Sequence, residues 1–269
     1  MTNHFRHWPV KVANMIVYLT LLSGSLYSAF GTDHDHGKDS PYDSEHQSYI
    51  TPAPFTFFVW TAIYVLLGGM VIYQWFSEMV YEVTSWYFIA ASVFNGVWLA
   101  LWTSGHTALA LAALFLVMGA VTMIYKRLRF DDGGISTEED SKLDIIFLHL
   151  PFSLYHAWIF VLFVINAFAV LAPIRSDGEP PSTLQVVLSI LGLIFVAMSA
   201  IGYIESRQGD VAGALVLAWY LFGAFAQQQV PAIHWTALGL GIGVAGYTLK
   251  PFVVRVLGGH SGEAAPLLG

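Results

Sequence analysis

The chain has 269 residues, 56% of them hydrophobic and 11% charged, with a formal net charge of −7. A soluble domain typically carries about 25% charged residues, so this composition excludes one and reads as a polytopic membrane protein. The absence of cysteine excludes disulfides, thiolate metal sites and thiol redox chemistry, and the negative charge, which comes largely from two loops, gives no footing for a nucleic-acid partner.

Apolar stretches fall at 10–30, 55–76, 86–104, 107–125, 145–172, 184–204, 211–227 and 232–254. Each approaches the ~20 residues that cross ~30 Å of hydrocarbon. An all-α bundle of about eight transmembrane helices is therefore expected, or seven if the short segment 211–227 does not insert. The first segment is too long, and its small-residue cleavage signal too poor, for a removable signal peptide. With the N-terminus in the cytosol, nine of the eleven Lys and Arg residues fall on the cytosolic side and only Lys38 and Arg175 fall outside. That bias satisfies the positive-inside rule and puts both termini in the cytosol.

The first long loop, 31–54, holds Asp33, His34, Asp35, His36, Asp39, Asp43, Glu45 and His46. These side chains are competent metal ligands, but with no fixed ligand spacing the loop reads as a solvated acidic segment. Thr51-Pro52-Ala53-Pro54 stiffens the approach to the second helix. The segment 126–144 opens with Lys126-Arg127-Leu128-Arg129, a stop signal suited to anionic headgroups, and continues as an acidic, Gly-containing connector. Arg175 to Pro181 separates five helices from three, so the expected organisation is 1–175, 176–257 and a tail at 258–269. No sequence repeat links the parts, which leaves an inverted-repeat transporter unsupported. Gly239 and Gly243, four apart, would allow close helix packing. In the tail, Glu263 to Leu268 fits an acidic dileucine sorting pattern, given a eukaryotic host.

Charge inside the membrane marks proton relays and ion paths, yet the expected hydrocarbon interior has no Asp or Glu. This argues against a carboxylate-coupled transporter. Lys11 and Lys250 lie near cytosolic ends and are expected to snorkel to the headgroups. Lys250 has no acidic counter-ion within the membrane, which argues against a retinal protein. His149 and His156 share a helix face about 10 Å apart, too far to hold one metal. Each reads as a packing histidine more readily than as a haem ligand. Pro151 should kink the fifth helix and free a carbonyl one turn earlier, within reach of Ser153 or His156.

What remains is a set of polar and aromatic residues inside apolar helices: Trp60 with Tyr64, Asn95 with Trp98, and Tyr155 with Trp158 and Asn166. An amide or indole N–H in hydrocarbon needs a partner, because leaving it unsatisfied costs on the order of several kcal/mol. The spacings put each set on one helix face. Taken singly these residues serve packing, since Trp and Tyr favour interfaces and Asn bonds between helices. Three such faces together could line one pocket, with rings to stack a flat ligand and amides to orient it.

These residues resemble the TspO/MBR family, the tryptophan-rich sensory proteins related to the translocator or peripheral benzodiazepine receptor. Val59-Trp60-Thr61-x-x-Tyr64, after a Pro-containing loop, resembles the P-V-W-T-x-L-Y of the second helix. Asn95-x-x-Trp98 resembles the L-N-x-x-W of the third, and Tyr155-x-x-Trp158 with Asn166 resembles the P-Y-x-x-W…L-N of the fifth. Phe58 stands where the family has Pro, Leu154 replaces the Pro beside Tyr155, and three spans follow the usual five. The resemblance implies a five-helix unit that binds porphyrins, sterols or related hydrophobic compounds, with Trp60, Tyr64, Asn95, Trp98, Tyr155, Trp158 and Asn166 as the ligand-binding residues. It implies no catalytic residue, metal or obligate cofactor; porphyrin or haem would enter as ligand. It also implies a homodimer through membrane faces. The expected function is a membrane receptor or sensor for a planar hydrophobic ligand, with transport of that ligand as an extension. The alternatives are a facilitative transporter of a neutral solute using all eight helices, and a membrane scaffold without a small-molecule ligand.

Overall fold

The computed structural model describes residues 7–30, 47–129, 141–174, 180–206 and 209–258. The acidic residues Asp33 to His46, most of the connector after Arg129, Arg175 and the dileucine pattern lie outside the described residues.

The chain forms α1 (Trp8–Phe30), α2 (Val59–Tyr73), α3 (Met79–Thr84), α4 (Tyr87–Thr103), α5 (Thr107–Arg129), α6 (Lys142–Asp144), α7 (Leu150–Leu171), α8 (Thr183–Glu205), α9 (Val211–Gln227), α10 (Pro231–Tyr247) and α11 (Lys250–Gly258). Helices α1, α2, α4, α5, α7, α8, α9 and α10 coincide in sequence with the eight expected spans. Stretches with α1, α2, α5, α7, α8 and α10 are long and apolar enough to cross a membrane on their own. Helices α4 and α9 have 17 residues each, about 26 Å of helix, at the lower limit of a span. The segment 211–227 nonetheless takes its place, packed against α7, α8 and α10.

The helix ends carry local signals. Ser182 and Gln185 cap α8 reciprocally, and Ser141 with Asp144 does the same for α6. Asp210 caps α9 by accepting from the Gly213 N–H at 2.9 Å. Lys126, Arg127 and Arg129 occupy the last turn of α5, where cations complement the helix dipole. The kink expected at Pro151 takes another form. The helix runs unbroken from Lys142 to Leu171 with a π-helical turn at Ile145–His149 just before Pro151, so the ring and the missing N–H fall inside a helical run and the wider turn takes them up. Ser153 and His156 do not serve a freed carbonyl; they bond to side chains of other helices.

Helix α7 is the axis of the bundle. It packs against α2, α5 and α9, and most of its residues are buried, as suits a helix apolar on every side. One continuous hydrophobic core runs from α2 to α10. Two corrections concern packing. Gly239 and Gly243 face open space, and the glycine that admits a neighbour is Gly241, 3.2 Å from the Phe222 ring for an added Cβ. The apolar stretch 232–254 is not one helix: it breaks after Tyr247 and resumes as α11 from Lys250, beside Pro251.

The two ends of the bundle differ. One gathers the ion pairs Lys11–Glu78 (3.0 Å), Arg129–Asp210 (3.4 Å) and Lys250–Glu205. Lys11 does not snorkel: it is 1% exposed, and its ammonium is held by Glu78 from the α2–α4 connection. At the opposite end, segment 47–58 is stitched to the last helices. Ala53 N–H donates to the Gly223 carbonyl at 2.9 Å, and Tyr220 Oη donates to the Ile50 carbonyl at 2.8 Å. Gln228 Nε2 donates to the Thr51 carbonyl at 2.7 Å, and Trp219 Nε1 to the Thr56 carbonyl at 3.0 Å. Ser48 bridges Pro173 in extended pairing.

Candidate ligand-binding site

Segment 47–58 ends in a 3₁₀ turn, Pro54–Phe58, that delivers Trp60 to the first turn of α2. Trp60 stacks on Tyr64 with ring centroids 5.2 Å apart. It also meets Tyr155 at 5.8 Å and the edge of Trp158 at 6.5 Å, both from α7. Phe57 closes on Trp158 edge-on at 5.5 Å. Asn95 of α4 donates from Nδ2 to the Tyr155 hydroxyl at 3.1 Å. Five of the seven residues thus form one cluster, and Trp60 alone among them is only half-buried.

The other two form a pair. Trp98, one turn past Asn95 on α4, donates from Nε1 to Asn166 Oδ1 at 3.1 Å, and Asn166 Nδ2 donates to the Leu162 carbonyl at 2.8 Å. Residues three apart on a helix point the same way, so both reach the facing helix. The pairs visible within α4 and within α7 are therefore exchanged for pairs between the two helices, while Trp60 and Tyr64 stay paired on α2. Trp158 is the exception. It is fully buried, and its Nε1–H has no acceptor among the described residues.

Beside the cluster, α1 and α4 enclose a groove of about 610 Å³ with mostly apolar walls, interrupted by Thr20, Gly24, Ser92, Gly96 and Thr103. None of the seven residues lines it, but it borders them. Ser92 stands one turn before Asn95, and Gly24 adjoins Ser25, whose hydroxyl meets that of Tyr64 at 2.6 Å. Ser92 is 4% exposed, and its Oγ has no partner among the described residues. The sequence reading missed these neighbours: Ser25, Tyr18, whose hydroxyl donates to the Tyr64 carbonyl at 3.0 Å, Phe57 and Ser92. Tyr18 and Ser25 are seven apart, hence on one face of α1, which was the available signal.

The remaining titratable residues sit elsewhere. His156 has both ring nitrogens engaged, Nδ1 with the Tyr203 hydroxyl at 2.5 Å and Nε2 with Thr122 Oγ1 at 3.1 Å. His234 Nδ1 meets the Gln228 carbonyl at 3.0 Å. Among the described residues, no three His, Asp or Glu side chains stand close enough to hold a metal ion.

Helical spans, ion pairs that among the described residues gather at one end, and an aromatic–amide cluster between α2, α4 and α7 define a class: an integral membrane helix bundle with a ring-lined interior. The family described as TSPO-like protein matches residues 11–249, and the chain belongs to that family. The match runs from α1 past the end of α10, so α8, α9 and α10 lie within it. No curated protein and no solved structure matches the chain.

Proposed function

We propose that this chain is a membrane receptor or sensor that binds a planar hydrophobic ligand of the porphyrin or sterol class between α1, α2, α4 and α7. The ligand would approach from the bilayer through the α1–α4 groove and stack against Trp60, Tyr64, Trp98, Tyr155 and Trp158. Asn95 and Asn166 would fix its orientation. The observation that carries this reading is the Trp158 indole: an N–H donor with no acceptor among the described residues, 0% exposed, at the centre of a ring cluster. Such a donor costs on the order of a few kcal/mol in an apolar setting, and a ligand acceptor would recover it. Ser92 supplies a second unpaired polar atom where the groove meets the cluster. The basic end of the bundle would face the cytosol with both termini, and a homodimer would form through a membrane face.

Titration of the purified protein in detergent with protoporphyrin IX, read as tryptophan quenching, tests the reading. Wild type should saturate. A Trp98→Leu/Trp158→Leu variant should bind about tenfold more weakly, from two ring contacts at ~0.5–1.5 kcal/mol each. Gly96→Leu, at a groove-lining position where an added Cβ meets no heavy atom within 4 Å, should weaken binding while leaving every cluster tryptophan in place. Saturation curves unchanged in both folded variants would remove the assignment.

A further inference from the structure

A second groove, of about 450 Å³, lies at the basic end between α5 and α8. Thr122, Lys126, His156, Gly202, Tyr203 and Ser206 line it, with Thr122, Lys126 and Gly202 exposed. The proposed ligand site uses none of these residues. We propose that this groove holds the headgroup of one anionic phospholipid from the leaflet at the basic end.

Two independent observations carry it. The first is a proton count. Tyr203, neutral His156 and Thr122 bring three polar protons to two contacts, Tyr203 Oη with Nδ1 and Thr122 Oγ1 with Nε2. If Tyr203 donates to Nδ1, then Nε2–H donates to Thr122, and the Thr122 hydroxyl proton is left over. If Nδ1–H donates to Tyr203, then Thr122 donates to Nε2, and the Tyr203 proton is left over. Either tautomer leaves one hydroxyl proton that these two contacts do not use. Tyr125 holds the imidazole plane: it stacks on His156 at 4.3 Å, and its own hydroxyl is committed to Asp210 at 2.8 Å.

The second observation is charge. Lys11, Arg129 and Lys250 are each matched by a carboxylate, whereas Lys126 has no acidic partner among the described residues. Asp210 is already answered by Arg129, and Glu205 by Lys250 and Tyr247. The groove therefore offers a cation and an O–H donor to an acceptor oxygen. Along α5 and α8, Lys126 and Ser206 mark its end-ward side, while Thr122 and Ser199 lie a turn or two deeper among mostly apolar walls. A charged head outward with an acyl chain inward fits that gradient, and a free anion does not use the inner part.

The test is native mass spectrometry of the full chain, titrated in detergent with dioleoyl phosphatidylglycerol or dioleoyl phosphatidylcholine. One phosphatidylglycerol should bind in preference to phosphatidylcholine. Lys126→Gln should weaken that adduct about fivefold, the worth of one cation at an anionic headgroup. Gly202→Leu, at a groove-lining position where an added Cβ meets no heavy atom within 4 Å, should abolish it while leaving Lys126 in place. Lys142→Gln, an exposed cation outside the groove, should leave it unchanged. Equal weakening by Lys126→Gln and Lys142→Gln, or full retention in Gly202→Leu, would overturn the proposal.

Discussion

Gly223→Ala sets two effects of known sign against each other. In a helix interior the alanine gains about 1 kcal/mol of propensity over glycine. Here, however, an added Cβ would overlap the hydroxyl of Thr56 and stand 2.9 Å from its Cβ and Cγ2. Thr56 is fully buried and cannot swing outward. The conflict would part segment 47–58 from α9 at the bonds that join them, Ala53 N–H to the Gly223 carbonyl and Trp219 Nε1 to the Thr56 carbonyl. Overpacking costs ~1–3 kcal/mol, and each lost hydrogen bond ~0.5–1.5 kcal/mol. The net should be a loss of about 1–5 kcal/mol after the propensity gain is subtracted. The assay is reversible unfolding in mixed micelles at rising dodecyl sulfate, followed by tryptophan fluorescence. Adding Thr56→Gly removes all three opposing atoms and should return most of the loss. A Gly223→Ala variant stabilised by about 1 kcal/mol would show that propensity wins and would refute the close approach.

Four further outcomes are expected. A double-mutant cycle of Trp98→Phe and Asn166→Leu in the same unfolding assay should give a coupling of ~0.6–1.7 kcal/mol for the α4–α7 bond, and a coupling near zero would break that pairing. Glu78→Ala should destabilise more than Lys11→Met, because the first leaves a buried ammonium unpaired and the second removes it; the reverse order in denaturation midpoints would contradict the buried ion pair. Because the chain has no cysteine, Lys142→Cys and Gln229→Cys each give a unique label site, and a membrane-impermeant maleimide should reach them from opposite faces of sealed vesicles. A chain ending at residue 175 should fail to reproduce the native near-ultraviolet spectrum, because four backbone groups of segment 47–58 lose their α9-side partners at ~1–3 kcal/mol each.

Much of this architecture was legible in the sequence, since hydrocarbon admits helices and little else. The eight spans follow from runs of apolar residues, and Trp60, Asn95, Trp98, Tyr155, Trp158 and Asn166 stood out because polar atoms are costly there. Their partners were not legible. Whether Trp98 reaches Asn95 on its own helix or Asn166 on another depends on helix rotation and tilt, which packing decides. The same holds for Lys11: its position near a helix end suggested headgroups, yet the α2–α4 connection brings Glu78 over it. Gly241 outranks Gly239 and Gly243 for a similar reason, since a small residue matters only where a neighbour such as Phe222 arrives.

The helices after α7 bear directly on the proposed site. Trp60 opens α2 immediately after the 3₁₀ turn, so its position depends on where residues 50–58 are held. Those residues are not held by α2 alone. Tyr220, Gln228 and Trp219 bind the carbonyls of Ile50, Thr51 and Thr56, and Gly223 receives Ala53, all from α9 and the residue beyond it. Helix α9 in turn packs on α7, which carries Tyr155 and Trp158. Both walls of the ring cluster are thus registered against one helix that the usual five-span arrangement does not contain. Segment 47–58 cannot shift away from Trp158 without giving up bonds to α9, and that constraint, more than any ring contact, keeps Trp60 against α7.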